Sequence, residues 1–360
     1  MRIAFQGLKQ AFDYFQIGGA ESFIRRISVE FNRHGHFVDF AMYGNDRNET
    51  VSIKDGFSLK YYRHYHEMEL SLDGKYDHIF TVYILPKDRI KFGFFRKKQN
   101  QTFFHFIFLN WPDSVFKRFL YFCEAQLFPY NGKLFCVSNR QYDYVSRWAS
   151  NAFHIHPPVP ENYFLPLGDK PINKKIRITF LGRIDPGKGI DDVIRIFEHL
   201  KNDARFELAI YGIHFSDHMP SVRIHNRLCA QSSIKYVPVE RGQYSPSTDD
   251  FVRNVLKETD IFIQPYQRLS STIDTPLLLL EAMASLCVVI TKPFGNIPDI
   301  YGDSPFLIDE WDFVSSTLRL LENIDPLAIE KERKRILKRN IALDFSAEIV
   351  GRKFLGAINV

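Results

Sequence analysis

The sequence predicts an α/β protein made of two doubly wound domains that face a central cleft. Three observations predict it. Short apolar runs alternate with amphipathic helical patterns along the 360 residues, as expected for parallel strands buried on both faces and joined by helices. The length is more than one core requires and suits two. A stretch rich in Pro and Lys without apolar periodicity, HPPVPENYFLPLGDKPINKK (156–175), divides the chain near its middle.

In the first half, MRIAFQG reads as a strand followed by a loop ending in IGGAES. A helix follows, with Phe23, Ile24, Ile27 and Phe31 on one face. HFVDFAMYG, YDHIFTVYI, TFFHFIF and KLFCVS read as strands, the last leading into a helix at NRQYDYVSRWA. Residues 45–75 show no assignable pattern. In the second half, IRITFLG, FELAIYG, SIKYVPV, DIFIQP, CVVIT and SPFLI read as buried strands. Ile190, Val193, Ile194, Phe197 and Leu200 mark one helix face, and DDFVRNVLKE, PLLLLEAMAS and DFVSSTLRLLEN mark further helices. The domains are therefore set at 1–160 and 176–340, with 161–175 as linker. A last helix within 341–360 is expected to pack back toward the N-terminal domain.

Composition narrows the function. A net charge of +5 is too small to indicate nucleic acid, and the basic residues are dispersed with no recognition motif. Cys123, Cys136, Cys229 and Cys287 are far apart, without a CxxC or Cys/His ligand spacing. That pattern argues against structural zinc and fits a reducing compartment. No apolar leader opens the chain, and no run reaches the ~18 apolar residues of a membrane span. The expected location is cytoplasmic, peripheral at most on the inner face of the plasma membrane. The 34 phenylalanines carry no functional reading of their own.

Three loops fall where strands end and a ligand is expected. The first is FLGRIDPGKG (180–189), in which Gly182 and Gly187 permit close backbone approach. Arg183 and Lys188 place two cations before a helix N-terminus, where anions are favoured. Alone, the pair could be two surface cations on a turn; its surroundings favour an anion site. The second is SSTIDTPLLLLEAMAS (270–285). Pro276 suits a first helical turn, with Thr275 or Asp274 as cap, and the free N–H groups there and at Leu277 would face the ligand. Glu281 is the only charge in LLLLEAMA and needs a reason; a carboxylate there can accept hydrogen bonds from vicinal hydroxyls such as those of a ribose. The third is QIGGAES, where Gly18 and Gly19 suit a turn that lets a phosphate approach the backbone.

These loops, in this order, resemble those of the retaining GT-B glycosyltransferases of family 4, which use nucleotide-sugar donors. The resemblance spans nearly the whole chain: IGGAESFIRRISVEFNRHGHFVDF, LFCVSNRQYDYV, FLGRIDPGKGIDDVIRIFEHL and PLLLLEAMASLCVVIT are the segments that carry it. It implies two Rossmann-like domains in the GT-B arrangement. It further implies that Arg183 and Lys188 neutralise the donor diphosphate, that Glu281 binds the ribose, and that Gly18–Gly19 lies against the phosphates. A histidine near the transferred sugar is often present in the family. His105 is the candidate, with a core histidine as the equal alternative, and Asn110 could occupy that region instead. The family places an acid eight positions before the helix Glu. Here that position holds Ile273, with Asp274 beside it either taking the role or capping the helix.

The resemblance implies transfer of a sugar to an acceptor hydroxyl with retention of configuration, in polysaccharide, lipopolysaccharide or glycolipid synthesis. No cofactor or metal is expected, the leaving diphosphate itself taking the acceptor proton. The partners are a nucleotide-sugar donor and a glycan or lipid-linked acceptor. RIKFGFFRKK (89–98) and the helix at 115–128 either meet an anionic membrane or are a solvated loop and a core-facing helix. Two other readings stand beside this one: a non-catalytic GT-B subunit that binds a partner enzyme or acceptor, favoured by Ile273, and a nucleotide-sugar epimerase.

Overall fold

The computed structural model describes residues 1–10, 12–52, 57–83, 102–112, 114–127, 131–171, 173–214, 218–231, 233–240, 245–309 and 311–359. The chain forms two compact units, one of residues 1–158 together with the segment from Ser346 onward, the other of residues 159–345.

The first unit is built on an eight-stranded sheet, ordered β3-β4-β2-β1-β5-β6-β7-β8. Its strands are β1 (Arg2–Leu8), β2 (Phe37–Tyr43), β3 (Glu49–Ser52), β4 (Ser58–Tyr62), β5 (His78–Tyr83), β6 (Phe103–Phe108), β7 (Leu134–Cys136) and β8 (Ala152–His154). All neighbours are parallel except β3, which pairs antiparallel with β4. The helices are α1 (Gly19–Arg33), α2 (Tyr65–Leu72), α3 (Val115–Leu127) and α4 (Asn139–Val145). Residues 45–75, which showed no sequence pattern, hold β3, β4 and α2. The reason is local: β3 is a four-residue polar strand, ETVS, with no buried residue to mark it.

Phenylalanine fills this unit's core. Phe5 stacks on Phe80 at 5.1 Å, and Phe135 lies 4.4 Å from Phe354 of the last helix, Ala347–Ile358. Phe23, Phe31 and Phe80 also meet Phe354 edge-on. Such pairs contribute beyond their buried area, so this last helix closes the first unit's core.

The second unit carries a five-stranded parallel sheet, ordered β11-β10-β9-β12-β13. Its strands are β9 (Ile176–Arg183), β10 (Phe206–His214), β11 (Lys235–Glu240), β12 (Ile261–Gln264) and β13 (Val288–Thr291). Its helices are α5 (Ile190–Leu200), α6 (Met219–Cys229), α7 (Pro246–Glu258), α8 (Leu277–Ala284), α9 (Ile297–Tyr301), α10 (Phe313–Glu322) and α11 (Pro326–Leu343), the last helix of the chain being α12. Ile190, Val193, Ile194, Phe197 and Leu200 of α5 are all buried, as their spacing predicts. SPFLI is not a strand; it contributes a single bridge, Leu307 to Thr291, because Ser304 turns the chain back on itself. No helix among the described residues is long and apolar enough to cross a membrane.

Winding begins at β9, runs outward through β10 and β11, then returns to β12 and β13 on the other side. The strand order therefore reverses between β9 and β12, and the crevice beyond their carboxyl ends is where an open α/β sheet accepts a ligand.

One buried cation ties the segment before β9 to this sheet. Lys170 is 4 % exposed and donates to the carbonyls of Leu256 and Ser285, at the ends of α7 and α8. Carbonyls at helix ends lack helical partners, and a cation there also meets the negative end of the helix dipole. Lys170→Met keeps the volume and removes both hydrogen bonds, leaving the Leu256 carbonyl to Thr259 and Cys287 and taking a buried donor from Ser285. It is expected to lower stability by about 2–4 kcal/mol, read as a lower urea midpoint.

Candidate functional site at the carboxyl ends of the second sheet

Strand β9 ends in Gly182 and Arg183, and a tight 3-10 turn, Pro186–Lys188, carries the chain into α5. The turn forms because Asp185 caps it: its Oδ1 accepts the Gly187 N–H at 2.6 Å, and Pro186 fixes the next backbone angle. Gly189 leaves the turn with φ 75°. A Cβ at that position would lie 2.0 Å from the Pro265 carbonyl oxygen, so only glycine allows the loop after β9 to pack on the loop after β12.

The two loops are laced by backbone. Arg183 Nη2 donates to the Ser271 carbonyl at 2.8 Å. Ser271 Oγ donates to the Gly187 carbonyl at 3.0 Å, and the Gln267 N–H donates to the same oxygen at 3.0 Å. Lys188 is thereby held with its ammonium 4.7 Å from the centre of the Tyr266 ring. Lys188 is 8 % exposed. Burial, then the charge of Arg183, bring its pKa down to about 7 against the pull of Asp185. At neutral pH Lys188 is a cation on the point of losing its proton.

Glu281 of α8 is buried at 4 % exposure. Tyr266 is buried as well, and its hydroxyl is pushed above its ordinary range by burial and by Glu281, against Thr272 and Arg183. Arg183, Lys188, Tyr266 and Glu281 thus share one electrostatic neighbourhood at the β9/β12 reversal. Helix α8 starts there, with Pro276 in the N-cap position, where a proline side chain makes no cap hydrogen bond. Thr275 and Asp274, expected as the cap, precede that position. Thr275 Oγ1 accepts from Asn296 at 2.7 Å, and Asp274 is 5 % exposed beside the equally buried Ile273.

Gln264, at the end of β12, is 1 % exposed and both atoms of its amide lack partners. Its Nε2 lies 3.8 Å from where a Cβ of Gly182 would sit, beside the Leu278 side chain. A cavity of about 620 Å³ in this unit lies elsewhere, between α10 and α11, and touches none of these groups.

Residues 175–323 match the model of the family described as glycosyl transferases group 1. That segment lies within the second unit. Solved structures extend the likeness to the whole chain. Sucrose-phosphate synthase from Thermosynechococcus elongatus is 15 % identical with a TM-score of 0.71, covering 99 % of this chain and 98 % of that one. HepE of Anabaena, in complex with UDP and glucose, is 12 % identical with a TM-score of 0.71 over 100 % and 99 % of the two chains. TarM of S. aureus, whose complex holds UDP, is 12 % identical with a TM-score of 0.67 over the full length of both. The fold is GT-B, two Rossmann-like domains. No curated protein sequence matches the chain.

Within the second unit, sequence reading found Arg183, Lys188, Gly182 and Glu281 and missed Tyr266, Ser271, Gln264 and Gly189. Asp185-Pro186-Gly187 is a turn signature and could have predicted the bend. Tyr266 and Gln264 gave no signal, because their role comes only from being buried.

In the first unit Gly18 is the N-cap of α1 in an extended conformation. A Cβ there would lie 2.3 Å from Glu21 Oε2, so the side-chain side of Gly18 is taken by that carboxylate. Of the two readings of His105, the structure shows the core one. His105 is a core histidine, 2 % exposed and stacked on Phe80 at 4.6 Å. Its Nδ1 accepts the Lys133 N–H at 2.8 Å, so the neutral ring carries its proton on Nε2, 3.0 Å from His78 Nδ1. With both nitrogens engaged, and burial bringing its pKa down to about 3, it stays neutral and committed to the sheet. Asn110, just past the end of β6, lines a small cavity instead.

Gly189→Ala tests the loop packing. It combines a left-handed backbone with a backbone clash and is expected to destabilise the chain by more than about 2 kcal/mol, measured by denaturant unfolding.

Proposed function

We propose that the chain transfers a sugar from a nucleoside-diphosphate sugar to a hydroxyl of a glycan or lipid-linked acceptor, with retention of anomeric configuration. The observation that carries this reading is buried Lys188 beside half-buried Arg183 at the carboxyl end of β9. As the glycosidic bond breaks, negative charge builds on the departing diphosphate. Cations fixed in a dry site stabilise that charge more than they stabilise the bound donor, which is the condition for acceleration. The N-terminus of α8 acts in the same direction. In this reading Glu281 accepts from the ribose, and the leaving phosphate oxygen receives the acceptor proton. We assign the charge stabilisation to these protein groups, without a metal or cofactor.

Structures of HepE that hold UDP-glucose or UDP, and the TarM complex that contains UDP, support a uridine donor as the first to test. For location and acceptor the support comes from the first unit. RIKFGFFRKK lies outside the described residues. Helix α3 is described, and Val115, Phe116 and Phe119 at its start are 73 %, 67 % and 55 % exposed. With Lys117 between them, these residues support contact of a cytoplasmic, peripheral enzyme with an anionic bilayer bearing the acceptor. Phe116→Ser with Phe119→Ser is expected to reduce cosedimentation with phosphatidylglycerol vesicles at least threefold; unchanged pelleting would remove the membrane from the proposal.

The donor site has a pH signature. Lys188 must be protonated to hold a diphosphate, and in the free protein its pKa is about 7. UDP affinity is therefore expected to fall as pH rises above 7, by no more than about tenfold per pH unit for one proton. Lys188→Arg does not titrate and should flatten the profile, while Arg183→Ala should weaken UDP binding about tenfold or more. Calorimetry over pH 6–9 checks both. A folded wild type that binds no nucleotide would overturn the enzyme and leave a non-catalytic subunit.

A further inference from the structure

The first unit holds a second group of cations and unpartnered donors, just past the end of β6. The indole of Trp111 has two guanidiniums against it. Arg118 Cζ lies 5.3 Å from a ring centroid and Arg140 Cζ lies 5.0 Å away. Tyr144 braces the group, with its ring edge-on to Trp111 at 5.9 Å and its hydroxyl donating to the Arg118 carbonyl at 2.7 Å. An indole can attract one cation, but two like charges drawn to the same ring also repel each other.

Beneath them lies Gln141, 2 % exposed. Its Oε1 accepts the Val137 N–H at 2.9 Å, which fixes the amide's orientation, and its Nε2 has no partner. Arg118 Nε is likewise buried without a partner. Both are donors. A buried donor left unpaired is costly, so two near an arginine pair call for an acceptor oxygen. Gln141, Asn110 and Trp111 line a cavity of about 10 Å³, room for one oxygen atom, and Trp111 is the residue it shares with the two guanidiniums.

We propose that this cluster binds an oxyanion, a carboxylate or phosphate carried by the sugar acceptor, with one oxygen on Gln141 Nε2 and the negative charge facing Arg118 and Arg140. Guanidinium forks suit either anion. The inference rests on the glycosyltransferase reading only in naming the ligand an acceptor, and it makes the acceptor an acidic sugar or a sugar phosphate rather than a neutral one.

The test is calorimetric titration of the full chain, with and without saturating UDP, using methyl glucuronide, glucose 6-phosphate and methyl glucoside. The expected result is that at least one of the two anionic sugars binds tenfold or more tightly than the neutral glycoside. Whichever it is identifies a carboxylate or a phosphate source. Arg118→Gln should remove that preference while UDP affinity stays at the wild-type value. Gln141→Glu is the second variant, and it carries the test alone if Arg118→Gln fails to fold. It keeps an oxygen on the Val137 N–H and puts another where the unpartnered amide nitrogen lies, so it should also remove the preference. Equal binding of all three sugars, or an anion preference that survives Gln141→Glu, would overturn the proposal. Loss of UDP binding with the anion preference intact would instead overturn the donor reading and leave this site standing.

Discussion

The constraint on which the second unit depends is the burial of Lys188 beside Arg183. Two like charges brought together repel, and Lys188 has lost hydration. The pKa of about 7, against an ordinary 10.5, measures that cost. The unfolded chain holds the Lys188 proton more tightly, so below about pH 7 the site opposes folding by its full amount. Stability returns as pH rises between about 7 and 10.5. The loop around it is correspondingly determined: Asp185 caps the turn, Gly189 lets it lie on the Pro265 carbonyl, and Ser271 joins the two loops. Local strain and unfavourable charge persist where the surroundings over-determine them.

The topology explains why this happens at β9. Its carboxyl end is where the winding reverses, so the loops after β9 and β12 diverge to opposite faces of the sheet and leave a crevice between them. Gln264 ends β12 at this crevice, and a buried amide with neither atom paired is rare.

Much of this was legible in sequence because it depends on pattern. The helix face of α5 and the parallel strands of both units follow periodicity, and Arg183, Lys188 and Glu281 stood out as charges in apolar surroundings. What was not legible depends on position in space. ETVS has too few buried residues to signal a strand, and SPFLI is apolar without being paired. Gly18 and His105 show the limit most clearly. Residue type suggested a phosphate turn and a group near the sugar, but glycine also makes room for a neighbour's carboxylate, and histidine also satisfies a sheet's interior. Only the partners at Glu21, Lys133 and His78 distinguish those uses.

The choice of cation in each unit follows from the same physics. A lysine responds to burial by giving up its proton, so Lys188 makes a site whose charge depends on pH and on whether an anion is present to stabilise it. A guanidinium cannot do so under ordinary conditions. Arg118 and Arg140 both lie against Trp111, whose indole attracts them. The second unit pairs one arginine with a lysine that can titrate, whereas the cluster at Trp111 is built on arginines alone.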